Sequence, residues 1–284
     1  MMSAWRTARR AAAGLGVLTL LAAAAACSEG STFLGRDQVV VAHKGDQPGT
    51  SFWDGSKYSG FDAYVGAHVA KGLGVKYIPK LITSDVRENE ITDGVAGMVI
   101  ATYSITEDRE DKVDFVGPYA VTNQGYMVLA GPGHPIRSEK ALVGKNICTM
   151  TSTTAVENLE GRGLNKPVQV ANASMCMKKL LDEEVDAFFM DEMILHGFKA
   201  ANPGVDLRIF PGQAGEPQFY GIGMPKGHQK DCEDLKEIVK DYVRGGQWTT
   251  DFGASLPAFA KEHPDKVDEH RPSTGLIDKL SCKG

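Results

Sequence analysis

The chain is predicted to fold as an α/β protein of two lobes, because two successive series of alternating strand and helix signals flank the turn Gly131-Pro132-Gly133. Its 284 residues are long enough for two lobes with cores of their own. Its charge, 31 basic against 36 acidic side chains for a net of -5, is mixed along the chain and leaves no basic footprint for nucleic acid. The expected partner is a small molecule or another protein.

Before the first strand comes a leader. Arg6, Arg9 and Arg10 precede an apolar run over 11–21, and alanines fill 22–26, which is signal-peptide organisation over residues 1–26. Small residues directly before Cys27 resemble the lipobox of bacterial lipoproteins, so Cys27 is the expected lipidation site, with Ala24 where leucine is more usual. The polar segment 27–37 then tethers the folded part to its anchor. With Cys27 set aside, Cys148, Cys176, Cys232 and Cys282 allow three connectivities. Pairing within segments, Cys148 with Cys176 and Cys232 with Cys282, is the expectation, since each bridge then ties one lobe.

The first series opens with a strand over 39–42 and the turn-rich loop Lys44-Gly45-Asp46-Gln47-Pro48-Gly49. Phe61, Val65, Val69 and Leu73 recur every four residues and predict a helix ending at glycine. A strand over 75–82, a short helix to Asp93 capped by Ser84 or Asp85, and a strand over 98–101 follow. The second series has strands over 146–150, 168–171 and 185–190. Its helices open near Ser152, at a Ser174 cap, and over 192–201. A strand over 221–225 and a helical face of Cys232, Leu235, Val239 and Tyr242 close the chain.

Three strand ends carry candidate binding groups. In open α/β sheets, ligands sit outside the carboxyl ends of strands. Arg109 follows the 98–101 strand and can grip a carboxylate, or it can pair with the acids beside it in EDREDK. Thr151-Ser152-Thr153-Thr154 opens a helix and can receive an anion, or can simply cap it. Asp191 can accept an ammonium, or cap the helix that follows. Together the three complement an α-amino acid.

GFDAYVGAHVAKGLG (60–74), IATYSITEDREDKVDFVGPY (100–119), NICTMTSTTAVENL (146–159), VDAFFMDEMIL (185–195) and YGIGMPKG (220–227) occur in an order that resembles the bacterial extracellular solute-binding proteins of family 3. The resemblance covers nearly all of the chain after residue 37. It implies a type II periplasmic-binding-protein (Venus-flytrap) clamshell whose hinge is two crossing strands near 124–130 and 219–225. Lobe one is then 38–127 with a return segment 223–284, and lobe two is 128–222. By the same resemblance Arg109 grips the ligand α-carboxylate, with Ser104 and the Thr102 backbone in support. Thr153 and Thr154 are the second lobe's carboxylate donors, and Asp191 holds the α-ammonium. KGDQPG and TSDVREN resemble the glutamate-type branch, in which Lys44 and Arg87 meet a second carboxylate; their alternatives are a solvated loop lysine and a helix-surface arginine. Ser84 stands where glutamine binders carry an aromatic.

The function implied is that of a lipid-anchored, extracytoplasmic, monomeric receptor delivering glutamate or aspartate to an ABC permease, with no cofactor, metal or catalysis. Two alternatives stay open: an amino-acid sensor for a membrane signalling partner, and a cyclohexadienyl or arogenate dehydratase-like lyase. The lyase needs a positioned general acid or base, and Glu88, Glu90 and the histidines form no such pair by spacing.

Overall fold

In the computed structural model of the protein, residues 36–160, 162–212 and 217–284 are described. The leader, Cys27 and the tether up to residue 35 lie outside them. Folding into regular structure starts with β1 (Gln38–His43), which buries Val39, Val41 and Ala42. Three short strands, β2 (Asp46–Gln47), β3 (Ser51–Trp53) and β4 (Tyr58–Ser59), form a small antiparallel sheet of their own. In α1 (Phe61–Leu73), Phe61, Val65 and Val69 are buried as their four-residue spacing predicts, and Gly74 ends the helix at φ 68.

After β5 (Lys76–Leu81) a 3-10 turn over Ser84–Val86 runs into α2 (Arg87–Thr92). Neither Ser84 nor Asp85 caps that helix: its N-cap is Val86, and no side chain bonds its first turn. The strand expected over 98–101 is shorter, β6 (Met98–Val99), because the backbone turns aside to φ 44 at Thr102. Then come α3 (Glu107–Glu110) and β7 (Asp114–Thr122).

Past Asn123 the chain forms β8 (Gln124–Leu129), β9 (Ile147–Met150), α4 (Thr154–Leu159), β10 (Val168–Val170), α5 (Ala173–Leu181), β11 (Ala187–Asp191), α6 (Glu192–Ala201) and β12 (Leu207–Pro211). Ser174, expected as a cap, lies inside α5; the N-cap is Asn172, whose side chain makes no capping bond. The chain ends with β13 (Gln218–Met224), α7 (Gln229–Arg244), α8 (Gly246–Ser255), α9 (Pro257–Glu262) and α10 (Thr274–Leu280).

The strands sort into two five-stranded sheets, β5-β1-β6-β13-β7 and β10-β9-β11-β8-β12. Each packs a separate apolar core, one around Phe61, Trp248 and Tyr220, the other around Phe188, Phe189 and Leu195. The chain leaves the first sheet at Asn123 and pairs with it again from Gln218. The lobe boundaries expected at 127/128 and 222/223 fall inside β8 and β13. Each of these strands pairs along its length within one sheet, a fact that hydrogen-bond partners decide and an apolar run does not reveal.

Cys148 is bonded to Cys176, tying β9 to α5, and Cys232 to Cys282, tying α7 to the chain end. A closed loop of this length restricts the unfolded chain enough to stabilise the fold by about 3–4 kcal/mol per bridge. Replacing Cys148 and Cys176 together by serine is therefore expected to lower Tm by roughly 10 °C in calorimetry. An unchanged Tm would show that the bridge contributes nothing.

Candidate functional site

The ends of β6, β9 and β11 meet across the gap between the two sheets, and the polar side chains there are buried. On the first-lobe side Thr102 holds a left-handed conformation uncommon for a β-branched residue. Two contacts fix it. Its N-H donates to Asp62 Oδ2 at 2.9 Å and its hydroxyl to Gln47 Oε1 at 3.1 Å. Asp62 itself is fully buried, and that burial pushes its carboxyl up to about 6.

Arg109 does not pair with the acids beside it in sequence. Its Nη1 donates to the Ser104 carbonyl at 2.7 Å, Nη2 reaches the Ser152 carbonyl of the second lobe at 3.5 Å, and its acid partner is Glu88, 3.7 Å away. Tyr103 lies under both guanidiniums: Arg87 is 4.5 Å and Arg109 5.0 Å from its ring centroid. The Tyr103 hydroxyl donates to Glu88 at 2.6 Å, which fixes the ring in place.

Lys44 is 0 % exposed and Arg87 3 %, so neither is a solvated surface cation. One serine serves both, for Lys44 Nζ donates to Ser84 Oγ at 3.1 Å and Arg87 Nε to the Ser84 carbonyl at 3.1 Å. Arg87 Nη2 then crosses the cleft to the Ser152 carbonyl at 2.8 Å. Burial pulls Lys44 down to about 8, with Asp46 opposing and Arg87 adding to the fall. Arg87 is pulled down to about 10, first by burial and then by Arg109. Cations held this way favour an anion beside them.

On the second-lobe side Ser152 takes φ 55, and its carbonyl receives both arginines. The Thr153 hydroxyl donates to the Met150 carbonyl at 2.8 Å. The Thr154 hydroxyl donates to Gln218 Oε1 at 2.6 Å and accepts from Gln124 Nε2 at 3.1 Å. Both hydroxyls are thus engaged within the protein. Asp191 is the N-cap of α6 by position, yet its side chain makes no capping bond. Its two oxygens accept instead from Gln124 at 2.9 Å and Tyr220 at 2.5 Å. Burial raises its carboxyl above the usual range, against these hydrogen bonds and the charges of Arg109 and Arg87.

Arg87 and Arg109 act on the Asp191 carboxylate across the cleft, and Lys44 lies beside Arg87 on Ser84, a pattern complementary to a small zwitterion that bears additional negative charge. Beside Arg109 lies a cavity of ≈ 530 Å³ whose lining includes Glu88, Glu107, Asp108, Ser152, Thr154 and Glu157. Among the described residues no group of three or more His, Cys, Asp or Glu is placed to hold a metal ion. Lys44, Arg87, Thr102, Ser104, Arg109, Thr153, Thr154 and Asp191 lie at the facing strand ends of the two lobes, whereas Cys27 is outside the described residues. Sequence reasoning missed Gln47, Asp62, Tyr103, Gln124, Gln218 and Tyr220, whose partners lie far away along the chain. The only available signal was that each sits within a few residues of a strand end.

A family model described as bacterial extracellular solute-binding proteins, family 3, matches residues 39–251. The glutamate-binding protein GluB of Corynebacterium glutamicum is 31% identical over 265 residues, covering 86% of this chain and 90% of the relative. The ABC transporter glutamine-binding protein GlnH of Bacillus subtilis is 26% identical over 194 residues, or 66% of this chain and 69% of that protein. Among solved structures, an ancestral arginine-binding protein bound to glutamine superposes with a TM-score of 0.71 at 26% identity, covering 78% of this chain and 98% of that one. The two-lobe α/β architecture is therefore that of the type II periplasmic amino-acid-binding proteins.

Proposed function

The chain belongs to the bacterial extracellular solute-binding proteins of family 3, and from that premise we propose that it captures an acidic amino acid, glutamate or aspartate, between its lobes. The observation that carries this reading is the convergence of buried Lys44 and Arg87 with half-buried Arg109, the two arginines acting on the Asp191 carboxylate of the second lobe. Arg109, with Ser104 in support, takes the α-carboxylate; the Thr102 N-H, expected to assist, is given to Asp62. Backbone N-H groups at Thr153 and Thr154 assist from the second lobe. Asp191 takes the α-ammonium, and Lys44 with Arg87 takes the side-chain carboxylate. A glutamine amide has no charge to offer these last two cations, so the acid is preferred.

The leader over 1–26 and the small residues before Cys27 support export and lipidation, which fixes the receptor outside the cell membrane through the 27–37 tether. In that position the monomer hands its ligand to an ABC permease. No step of this function is catalytic.

Thermal unfolding against each proteinogenic amino acid tests the reading. Ligand at a hundred times its dissociation constant stabilises the folded state by about 2.7 kcal/mol. That corresponds to a rise of roughly 5–10 °C. Glutamate or aspartate is expected to give it; silence towards every amino acid sinks the binding reading, and a response to glutamine alone sinks only the acidic ligand.

Calorimetry against pH adds a check on Lys44. A lysine is charged below its pKa, and burial holds this one down to about 8. Acidic-ligand affinity is therefore full below that pH and falls as pH rises through it, by at most tenfold per pH unit. Lys44→Met is expected to bind weakly at neutral pH and to lose this dependence. Equal slopes for the two proteins would remove Lys44 from the site.

A further inference from the structure

The loop that carries Lys44 reaches beyond the ligand cleft, and three contacts show it seated in the opposite lobe. Asp46 Oδ2 accepts the Ser174 backbone N-H at 2.9 Å, in the first turn of α5. Gln47, fully buried, points its amide at Met150 Sδ in β9, 4.0 Å away, while its other end receives Thr102. The Pro48 carbonyl lies where a Cβ on Gly197 would come within 1.8 Å of it, so α6 admits the loop only because residue 197 is glycine. Asp46, Gln47 and Pro48 thus grip α5, β9 and α6 in turn.

The cap on α5 is unusual in its origin. Helix starts leave N-H groups without intrahelical partners, and a local Asn, Asp, Ser or Thr ordinarily takes one of them. Asn172 occupies the N-cap position of α5 and makes no such bond. The acceptor comes from the other lobe, 128 residues earlier in the chain. This contact exists only while the lobes are together.

We propose that Asp46 is a positioning residue for ligand retention: by capping α5 across the cleft, with Pro48 seated on Gly197, it clasps the lobes shut over the bound molecule. The inference rests on the ligand-binding reading above for its kinetic consequence, but not for the contact itself. The clasp forms whenever the lobes close, with or without ligand, and an open cleft has no cap to offer. Its loss therefore speeds ligand escape and leaves entry unchanged.

The experiment compares Asp46→Ala, Asp46→Asn and Gly197→Ala with the parent protein by stopped-flow glutamate binding and by hydrogen exchange at the Ser174 amide. Asp46→Ala is expected to release glutamate about fivefold faster, the effect of one lost cap, with association within about twofold. Asparagine caps as well as aspartate does, so Asp46→Asn keeps slow release even though it removes a charge that raises the Lys44 pKa. Were Asp46 acting only through Lys44, the two variants would behave alike, and that result overturns the clasp. Gly197→Ala, whose methyl meets a backbone carbonyl, is expected to release faster still and to leave the liganded protein expanded in small-angle scattering.

Ser174 exchange is read without ligand and separates the two failures. Protection lost in Asp46→Ala and kept in Asp46→Asn supports the clasp even if no amino acid binds, in which case only the ligand-binding reading fails. Unchanged protection in Asp46→Ala, or unchanged release, overturns the clasp while leaving the ligand site intact.

Discussion

Arg109→Ala is expected to weaken glutamate binding by more than a hundredfold in calorimetry, about 3 kcal/mol, while shifting the ligand-free Tm little. The guanidinium offers a forked pair of donors to a carboxylate, and truncating one partner of such a pair costs about 2–5 kcal/mol because the other is left without its match. The fold asks less of Arg109, whose hydrogen bonds run to the Ser104 and Ser152 carbonyls beside a half-open cavity. Arg109→Lys keeps the charge and loses the fork, so it is expected to recover binding only in part. Wild-type affinity in Arg109→Ala would place the carboxylate elsewhere.

Asp191→Asn is expected to produce a comparable loss for a different reason. Its side chain keeps the shape and can still meet Gln124 and Tyr220, so the fold should hold with a Tm near that of the parent. The negative charge facing the ligand ammonium is gone, and glutamate affinity should fall about a hundredfold. Glutarate, which has both carboxylates and no ammonium, should bind the variant no worse than the parent. Equal losses for both ligands would make Asp191 a structural residue. Asp191→Ala is a poorer test, since it strands two buried donors at a cost of about 1–3 kcal/mol in stability. The pH dependence has a definite sign: burial raises the Asp191 carboxyl, so its contribution to ammonium binding is present above that raised pKa and is lost as pH falls through it.

Some elements were legible in the chain and others were not, for reasons that differ. The helix Phe61–Leu73 was visible because four apolar residues repeat on one face and a glycine stops it. The strand Asp114–Thr122 was not, because Gly117-Pro118 in its middle reads as a turn; in the fold those residues lie where the register against β13 shifts between Tyr220 and Ile222. The terminal helices after residue 245 were also missed. Gly245 and Pro257 punctuate them, and Trp248, Phe252 and Phe259 are buried against the first-lobe core rather than marking a clear stripe.

The site divides along the same line. Sequence pattern alone placed Arg109, the TSTT turn and Asp191 after strands, since local periodicity locates strand ends, and the order of the motifs indicated the family. It left each residue with an even alternative, as surface charge or as a cap. Only tertiary structure removed those alternatives, by showing the Asp191 carboxylate bonded to Tyr220 instead of its own helix and Lys44 buried against Ser84. The cross-lobe cap on α5 was beyond any local reading, because Asp46 and Ser174 are distant in sequence and meet only when two separately packed sheets close on each other. Local propensity determines where a strand ends; which charges share a cleft is decided by long-range packing, which excludes water and makes every buried charge find a partner.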